Sequence, residues 1–347
     1  MSQSALVVGM GACGLFASYL LSKKGWKVTV VGHGTPASAM STGCVRGAMS
    51  NERCLHELQV LSKAVGMPMN GPGVGVTNLG TRFDCSMSPS RSILHEGMPE
   101  TITAVGIGGH PSLRPRLAAS MLSEWVPRAE AMTVDVPVPA DMTLDVAFRD
   151  EALLDLLVGS LKETDGTVLI PPLFRLADHW KMDDLERRSG RTVLEAITPL
   201  GIPGQRFLDM FIVSAKDAGA VLWPGRKVTE LRTDGGEVHA EVTGGLESRS
   251  VRSDAVLLAT GGPLVDGLLL PNDGLVDPFG TFRTVGSQGI GGGYEHDGPR
   301  LRFRSGGTST NAFGAGDCLS SGERTYGNGL AAALESAWDA VQAMEGP

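Results

Sequence analysis

A glycine-rich turn near the N-terminus has the spacing of a dinucleotide-binding loop. Gly9, Gly11 and Gly14 follow the apolar run 5–8, and a helical segment leads from them to a second apolar run at 26–31. In such a unit the first glycine allows the tight turn, the second lets a diphosphate approach the backbone, and the third permits close helix–strand packing. The free amide groups and partial positive charge of the helix N-terminus hold the phosphates. This segment therefore predicts a βαβ unit that binds a diphosphate.

Two more glycine segments, far along the chain, indicate that the nucleotide carries a flavin. Thr260 and Gly261 close an apolar run, and Gly316 and Asp317 end a run of small residues about thirty residues from the C-terminus. Small residues let the backbone pass close to a ligand, and a carboxylate at 317 is suited to accept a hydrogen bond from a ribityl hydroxyl. The run Gly327-Asn328-Gly329-Leu330 then leads into a helix whose N-terminus would stabilise a reduced, anionic flavin. The sequence therefore predicts one flavin site assembled from three separated segments.

The acidic residue that usually holds the ribose of an adenine dinucleotide is missing. It normally stands about twenty residues beyond the glycines, where this chain has Gly32 and His33. A backbone contact or His33 would have to replace it. The missing acid weakens a prediction of NAD and leaves the identity of the flavin open between FAD and FMN.

The phosphate loop favours FAD, with FMN as the alternative, because only FAD carries the diphosphate that residues 9–14 would hold. We expect noncovalent binding, since the loop Ser41-Thr42-Gly43 has no histidine where a covalently flavinylated relative would attach its cofactor. The predicted cofactor contacts are Gly9, Gly11, Ala12, Cys13, Gly14, Gly32, His33, Ser41, Thr42, Gly43, Thr260, Gly261, Gly316, Asp317, Gly327, Asn328, Gly329 and Leu330.

Composition excludes several classes of protein. A net charge of −8 argues against a nucleic-acid surface. No apolar run reaches the roughly 18–20 residues of a membrane span, and the start of the chain lacks the basic region of a signal peptide. The five cysteines form no CxxC pair, so neither a cysteine-rich iron–sulfur site nor a structural zinc site is expected. These features favour a cytoplasmic protein without a bound metal.

Alternating strand and helix patterns occur in two regions of the chain. From residue 102 a second alternation begins, which predicts a small parallel sheet. The sequence therefore predicts an α/β protein with a discontinuous Rossmann-like FAD-binding domain and an inserted smaller α/β domain. The expected FAD-binding domain comprises 1–50, 205–262 and 305–347, and the insert comprises 51–204 and 263–304.

Several longer runs carry a resemblance to one known family. They are 105–109, 117–119, 168–172, 176–178, 200–204, 219–225 and 259–262. In order and wording they resemble the smaller flavoprotein subunit of anaerobic glycerol-3-phosphate dehydrogenase, which is a member of the fumarate-reductase-like group. The run Gly-Ala-Val-Leu-Trp-Pro-Gly at 219–225 and the inserted α/β domain are its more specific parts, whereas many families share the flavin motifs.

The resemblance implies one flavoprotein subunit of a respiratory enzyme. A larger catalytic flavoprotein subunit would carry the main substrate site, and an iron–sulfur subunit would dock the pair on the membrane. The complex would oxidise sn-glycerol 3-phosphate to dihydroxyacetone phosphate and pass electrons to quinone. The chain itself would lie in the cytoplasm, peripheral to the inner face of the cell membrane through these partners.

Oxidation of an alcohol by a flavin needs a base for the alcohol proton and, for a phosphate substrate, a cationic clamp. His296 is the candidate base, although its setting is also typical of a solvated loop histidine. Arg324 and Arg46, each near a flavin segment in sequence, are the candidate clamps. Two other roles stay open: a flavin-bearing electron relay or scaffold without its own substrate site, and a stand-alone FAD oxidoreductase acting on another hydroxy acid.

Overall fold

A computed structural model of the 347-residue chain describes residues 2–94, 97–139, 141–234, 236–262, 265, 267–271, 274–286, 292–320 and 329–346. The chain divides into two compact units. Unit 1 comprises Met1–Ser38, Gly47–Glu57 and Leu208–Pro347, and unit 2 comprises Ala39–Arg46 and Leu58–Phe207.

Unit 1 is built on a seven-stranded sheet, with strands numbered here in chain order. In spatial order they are β12 (Val221–Pro224), β2 (Lys27–Gly32), β1 (Ser4–Val8), β16 (Ala255–Leu258), β21 (Thr308–Gly314), β20 (Arg300–Arg302) and β19 (His296–Asp297). The first five are parallel, with Val7 opposite Val30 on one side and Leu257 on the other. The last two pair antiparallel at the edge. The carboxyl ends of five strands therefore meet at one edge of this sheet.

Smaller sheets and helices complete unit 1. An antiparallel sheet contains β13 (Lys227–Asp234), β14 (Glu237–Gly244) and β15 (Glu247–Ser253), and β17 (Thr284–Val285) pairs with β18 (Gly293–Tyr294). The last residue of β13, Asp234, lies opposite the first residue of β14, Glu237. Helix α1 (Ala12–Lys23) is buried from Ala12 to Leu21, and α8 (Gly329–Met344) is the last helix. The apolar core of the unit includes Leu6, Val31, Val242, Val256 and Phe282.

Unit 2 contains the predicted small parallel sheet. Its spatial order is β11 (Thr192–Glu195), β10 (Thr167–Ile170), β8 (Thr101–Ile107) and β9 (Arg128–Val134). Every residue of β8 is buried, as expected for a strand covered on both faces. Short strands form two further sheets: β4 (Gly73–Val76) with β5 (Arg82–Cys85) and β7 (Ile93–Leu94), and β3 (Met69–Asn70) with β6 (Ser88–Pro89).

The remaining helices belong to unit 2 or have residues in both units. Within unit 2 are α3 (Pro115–Leu122), α4 (Leu144–Ala147), α5 (Glu151–Leu161) and α6 (Lys181–Ser189), whereas α2 (Glu52–Ala64) and α7 (Ile202–Asp217) each contain residues of both units. Among the helices in the described ranges, none combines the length and apolar character needed to cross a membrane.

The α/β class and the Rossmann-like fold are confirmed, but four segments fall in other units than the sequence predicted. Residues 51–57, expected in the insert, belong to unit 1, and residues 205–207, expected in the FAD-binding domain, belong to unit 2. The described residues of 263–304 were expected in the insert and belong to unit 1, because β19 and β20 hydrogen-bond into the seven-stranded sheet. Residues 39–46 were expected in the FAD-binding domain and belong to unit 2, where Val45 pairs with Met87.

A buried histidine gives unit 2 a predicted acid sensitivity. His179 is 5% exposed, and its Nε2 has no hydrogen-bond partner among the described residues. Burial, followed by the charges of Arg206 and Arg91, lowers the pKa of His179 from 6.5 to about 3. The unfolded chain therefore binds the extra proton first as pH falls. The contribution of neutral His179 to the free energy of unfolding is fully present above pH 6.5. It is lost as the pH falls toward 3, by about 1.4 kcal/mol per pH unit.

Replacing His179 with phenylalanine should remove this slope. Denaturant unfolding of the wild type and His179→Phe, at pH values between 3 and 6.5, measures the difference. His56→Phe, at an exposed position on α2, is the control and should keep the wild-type slope. Equal slopes for His179→Phe and the wild type would contradict the prediction.

Candidate flavin-binding site

Three of the predicted cofactor segments lie next to one another at the carboxyl edge of the seven-stranded sheet. Residues 9–14 follow β1, residues 259–262 follow β16, and residues 315–318 follow β21. A Cβ atom on Gly262 would lie 3.5 Å from the Asp317 carbonyl oxygen, and one on Gly14 would lie 3.2 Å from the Ala259 Cβ. The parallel pairing of β1, β16 and β21 brings these segments together, because parallel strands end at the same edge.

Gly9 and Gly11 are glycines for different reasons. Gly9 has φ +123°, and a side chain there would overlap the Ala259 carbonyl. A Cβ on Gly11 would lie 3.6 Å from the Pro36 Cβ and 3.7 Å from the Ser38 Oγ, which are ordinary contacts. The fold therefore requires glycine at 9 but not at 11. The glycine at position 11 is explained by a ligand that approaches the backbone there closely.

The N-terminus of α1 is suited to an anion. Its first turn contains no acidic residue, and aligned amide groups there carry partial positive charge. The Ala12 N–H donates to the Ser38 Oγ at 3.1 Å. Sequence reasoning missed Ser38, and the only available signal was a small polar residue soon after β2.

The thiols at this edge are packing groups. Burial raises the pKa of the Cys13 thiol well above its usual value, with further increases from Cys318 and Asp317. Burial likewise raises the pKa of Cys318 to about 11, and its Sγ lies 3.1 Å from the Leu258 carbonyl oxygen. A thiol that stays protonated at neutral pH is a poor nucleophile. Cys13, one of the predicted cofactor contacts, is therefore a packing residue of the glycine loop and not a reactive thiol.

Two other predicted contacts follow β2. Gly32 ends that strand, and a side chain on it would overlap Met10. His33 is exposed beyond the strand. A role for His33 in place of the missing acid stays a prediction.

The last predicted contacts precede and begin α8. Gly329 and Leu330 are its first residues, and a Cβ on Gly329 would meet no atom of the described residues within 4 Å. Gly327, Asn328 and Arg324 lie outside the described residues.

The predicted residues between 41 and 46 belong to unit 2. Gly43 packs against Pro203, and its N–H donates to the Ser41 Oγ at 3.2 Å. The Cys44 N–H donates to the Thr42 Oγ1 at 3.4 Å. The exposed Arg46 has its guanidinium carbon 5.3 Å from the centre of the Phe83 ring. Roles at the flavin for Ser41, Thr42, Gly43 and Arg46 stay predictions.

The candidate base has both ring nitrogens close to backbone carbonyls. In unit 1, His296 Nδ1 lies 2.6 Å from the Gly298 oxygen and Nε2 lies 2.7 Å from the Ser320 oxygen. A neutral imidazole has one N–H and a protonated one has two. In either form the ring is engaged with the backbone of Gly298 or Ser320, and this geometry favours a structural role.

We therefore expect His296→Ala to lower the melting temperature and to leave the rate of flavin reduction nearly unchanged. Losing hydrogen bonds worth about 1 kcal/mol should lower the melting temperature by about 2–4 °C. The rate of flavin reduction by substrate should stay within about threefold of wild type, because removing a general base typically costs about 100-fold or more. Stopped-flow reduction and thermal melts measure the two effects. A 100-fold slower reduction at unchanged melting temperature would restore the catalytic role.

The sequence matches a known family over most of its length. The DAO family, described as FAD dependent oxidoreductase, matches residues 4–287. The chain belongs to this family. The prediction of FAD, rather than FMN, is confirmed for this FAD dependent oxidoreductase.

Solved structures with low sequence identity are also similar to this oxidoreductase. BexE, studied for oxidation during BE-7585A biosynthesis, has a TM-score of 0.43 at 13% identity, covering 100% of this chain and 63% of BexE. CabE, an aromatic hydroxylase from angucycline biosynthesis, gives the same four values. A flavoprotein/dehydrogenase from Cytophaga hutchinsonii has a TM-score of 0.41 at 11% identity, covering 99% of this chain and 78% of that one. The chain spans less than two thirds of BexE and CabE, and likeness at this level carries no argument about activity.

The residues at the carboxyl edge fit FAD. The open approach at Gly11 and the N-terminus of α1 would take the diphosphate, and the 315–318 turn with Asp317 lies beside residues 259–262. When bound, FAD supplies the hydride-accepting ring, while the protein binds and orients it.

Proposed function

We propose that this FAD dependent oxidoreductase is the flavoprotein subunit of a respiratory dehydrogenase that oxidises sn-glycerol 3-phosphate to dihydroxyacetone phosphate. The proposal that the chain binds a flavin is supported by one observation: three glycine segments lie next to one another at one edge of the seven-stranded sheet. The substrate is supported by the family resemblance of runs in both units. One of them, 105–109, contains the end of β8, and another, 219–225, contains β12.

The same resemblance supports the proposed partners. A larger flavoprotein subunit would hold the main substrate site, and an iron–sulfur subunit would pass electrons to quinone. The chain would act in the cytoplasm and reach the inner face of the cell membrane through these partners. FAD would be held without a covalent bond.

A second candidate is a flavin-bearing electron relay without its own substrate site. Two observations favour it. The ring of His296 is engaged by two backbone carbonyls, and the Arg46 guanidinium stacks on Phe83. His296 would have to leave its contacts to act as a base, and Arg46 is held at the Phe83 ring.

Anaerobic reduction of the bound flavin distinguishes the candidates. The chain is purified alone and together with the larger flavoprotein expressed beside it, and sn-glycerol 3-phosphate is added to each. Loss of the visible flavin band in the isolated chain supports a substrate site on this chain. Loss only in the complex, and greater than that of the larger flavoprotein measured alone, supports the relay. No loss in either sample, with dithionite reducing both, rejects glycerol 3-phosphate as the substrate.

A further inference from the structure

Ser336, in the second turn of α8, contacts one of the segments at the candidate flavin site. Its Oγ accepts a hydrogen bond from the Gly316 N–H at 2.8 Å. The same hydroxyl donates to the Ala333 carbonyl oxygen at 3.1 Å. One side chain thus joins α8 to the turn that contains Asp317.

The turn at 315–318 fits closely between its neighbours. A Cβ on Gly316 would lie 3.1 Å from the Cys13 Sγ and 3.9 Å from the Ala333 Cβ. The turn is also anchored on both sides of Gly316. The Ala315 N–H donates to the Leu258 oxygen at 2.9 Å, and the Leu319 N–H donates to the Gly316 oxygen at 3.1 Å.

The Gly316 amide depends on the Ser336 hydroxyl. Without that acceptor, a partly buried N–H is left unpaired, which costs free energy unless the turn moves. Any such movement displaces Asp317, the next residue, which the site needs in a fixed position. These two bonds alone do not prevent this movement, because the bond from Leu319 to the Gly316 oxygen lies within the turn and moves with it, and the Ala315 bond holds only the residue before Gly316.

We propose that Ser336 is a positioning residue for FAD. It holds Gly316 against Cys13, so that the Asp317 turn and the phosphate loop keep one geometry when the cofactor binds. Ser336 acts through these residues and is assigned no contact with the cofactor itself. The proposal rests on FAD as the cofactor and not on glycerol 3-phosphate as the substrate.

Titration of apoprotein with FAD tests the proposal. Ser336→Ala should weaken FAD binding by about tenfold, the equivalent of one lost hydrogen bond. Ser336→Thr keeps a hydroxyl and should restore most of the affinity. Ser214→Ala is the matched control, because the Ser214 hydroxyl donates only within α7, to the Met210 oxygen at 2.9 Å. That variant should bind FAD like the wild type.

Three further measurements complete the test. Thermal melts of each apoprotein show whether it is folded. The FAD affinities of Cys13→Ala, Ser336→Ala and the double variant should be non-additive, since the Cys13 Sγ and the Ser336 hydroxyl both lie against Gly316. Should Ser336→Ala fail to fold, Ser336→Cys offers a weaker acceptor of similar size. FAD affinity equal to wild type in folded Ser336→Ala (or in Ser336→Cys, where the alanine variant does not fold), or an equal loss in Ser214→Ala, overturns the proposal, whatever the result with glycerol 3-phosphate.

Discussion

Replacement of Arg206 by methionine is expected to lower the free energy of unfolding by about 3–5 kcal/mol. In unit 2 the side chains of Arg206 and Glu195 are 0% and 1% exposed. Arg206 Nη1 donates to the Phe174 oxygen at 2.9 Å and to Glu195 Oε2 at 3.0 Å, and Nη2 pairs with Glu195 Oε1. The variant leaves a carboxylate buried without a counter-charge. Denaturant unfolding of the wild type and the variant measures the loss.

Two further variants separate the buried charge from the loss of any arginine. Arg82→Met breaks an exposed pair with Asp84 in the same unit, and its effect should stay below about 1 kcal/mol. Adding Glu195→Leu to Arg206→Met should recover much of the loss, since an apolar pair replaces a stranded carboxylate. If Arg206→Met costs no more than Arg82→Met, the pair does not stabilise unit 2 as argued.

Alanine at Gly11 is expected to weaken FAD binding by about 10- to 100-fold while the apoprotein stays folded. The new methyl group would make only ordinary contacts with Pro36 and Ser38 inside the protein. It would nevertheless occupy the space through which the diphosphate reaches the α1 amides. FAD titration and thermal melts of the apoprotein measure the two effects independently.

Gly9→Ala is the matched comparison, and it should act on folding. Its methyl group would overlap the Ala259 carbonyl at a φ of +123°, so we expect a melting temperature well below that of Gly11→Ala or no folded protein. Unchanged FAD affinity in Gly11→Ala would mean that the loop does not hold the diphosphate, and this result would falsify the site.

Local patterns made much of the fold predictable. The β1–α1–β2 unit follows from apolar runs on either side of three glycines, because strand, turn and helix each depend on near neighbours in sequence. The small parallel sheet of unit 2 follows from alternating strands and helices. The shared edge of residues 9–14, 259–262 and 315–318 was predictable as well, since each segment follows a parallel strand.

The sequence by itself therefore determined the fold class, the FAD motifs and membership of the DAO family, whereas the resemblance to glycerol-3-phosphate dehydrogenase stays a prediction. Only the tertiary structure decided that β19 and β20 extend the seven-stranded sheet. The same holds for the pairing of Glu195 with Arg206 in unit 2 and for the acceptor that Ser336 offers to Gly316. In each of these contacts, the sequence around one partner gives no indication of which side chain or strand it will meet. They form because the packed chain brings buried polar groups together, and such groups must find hydrogen-bond partners once water is excluded.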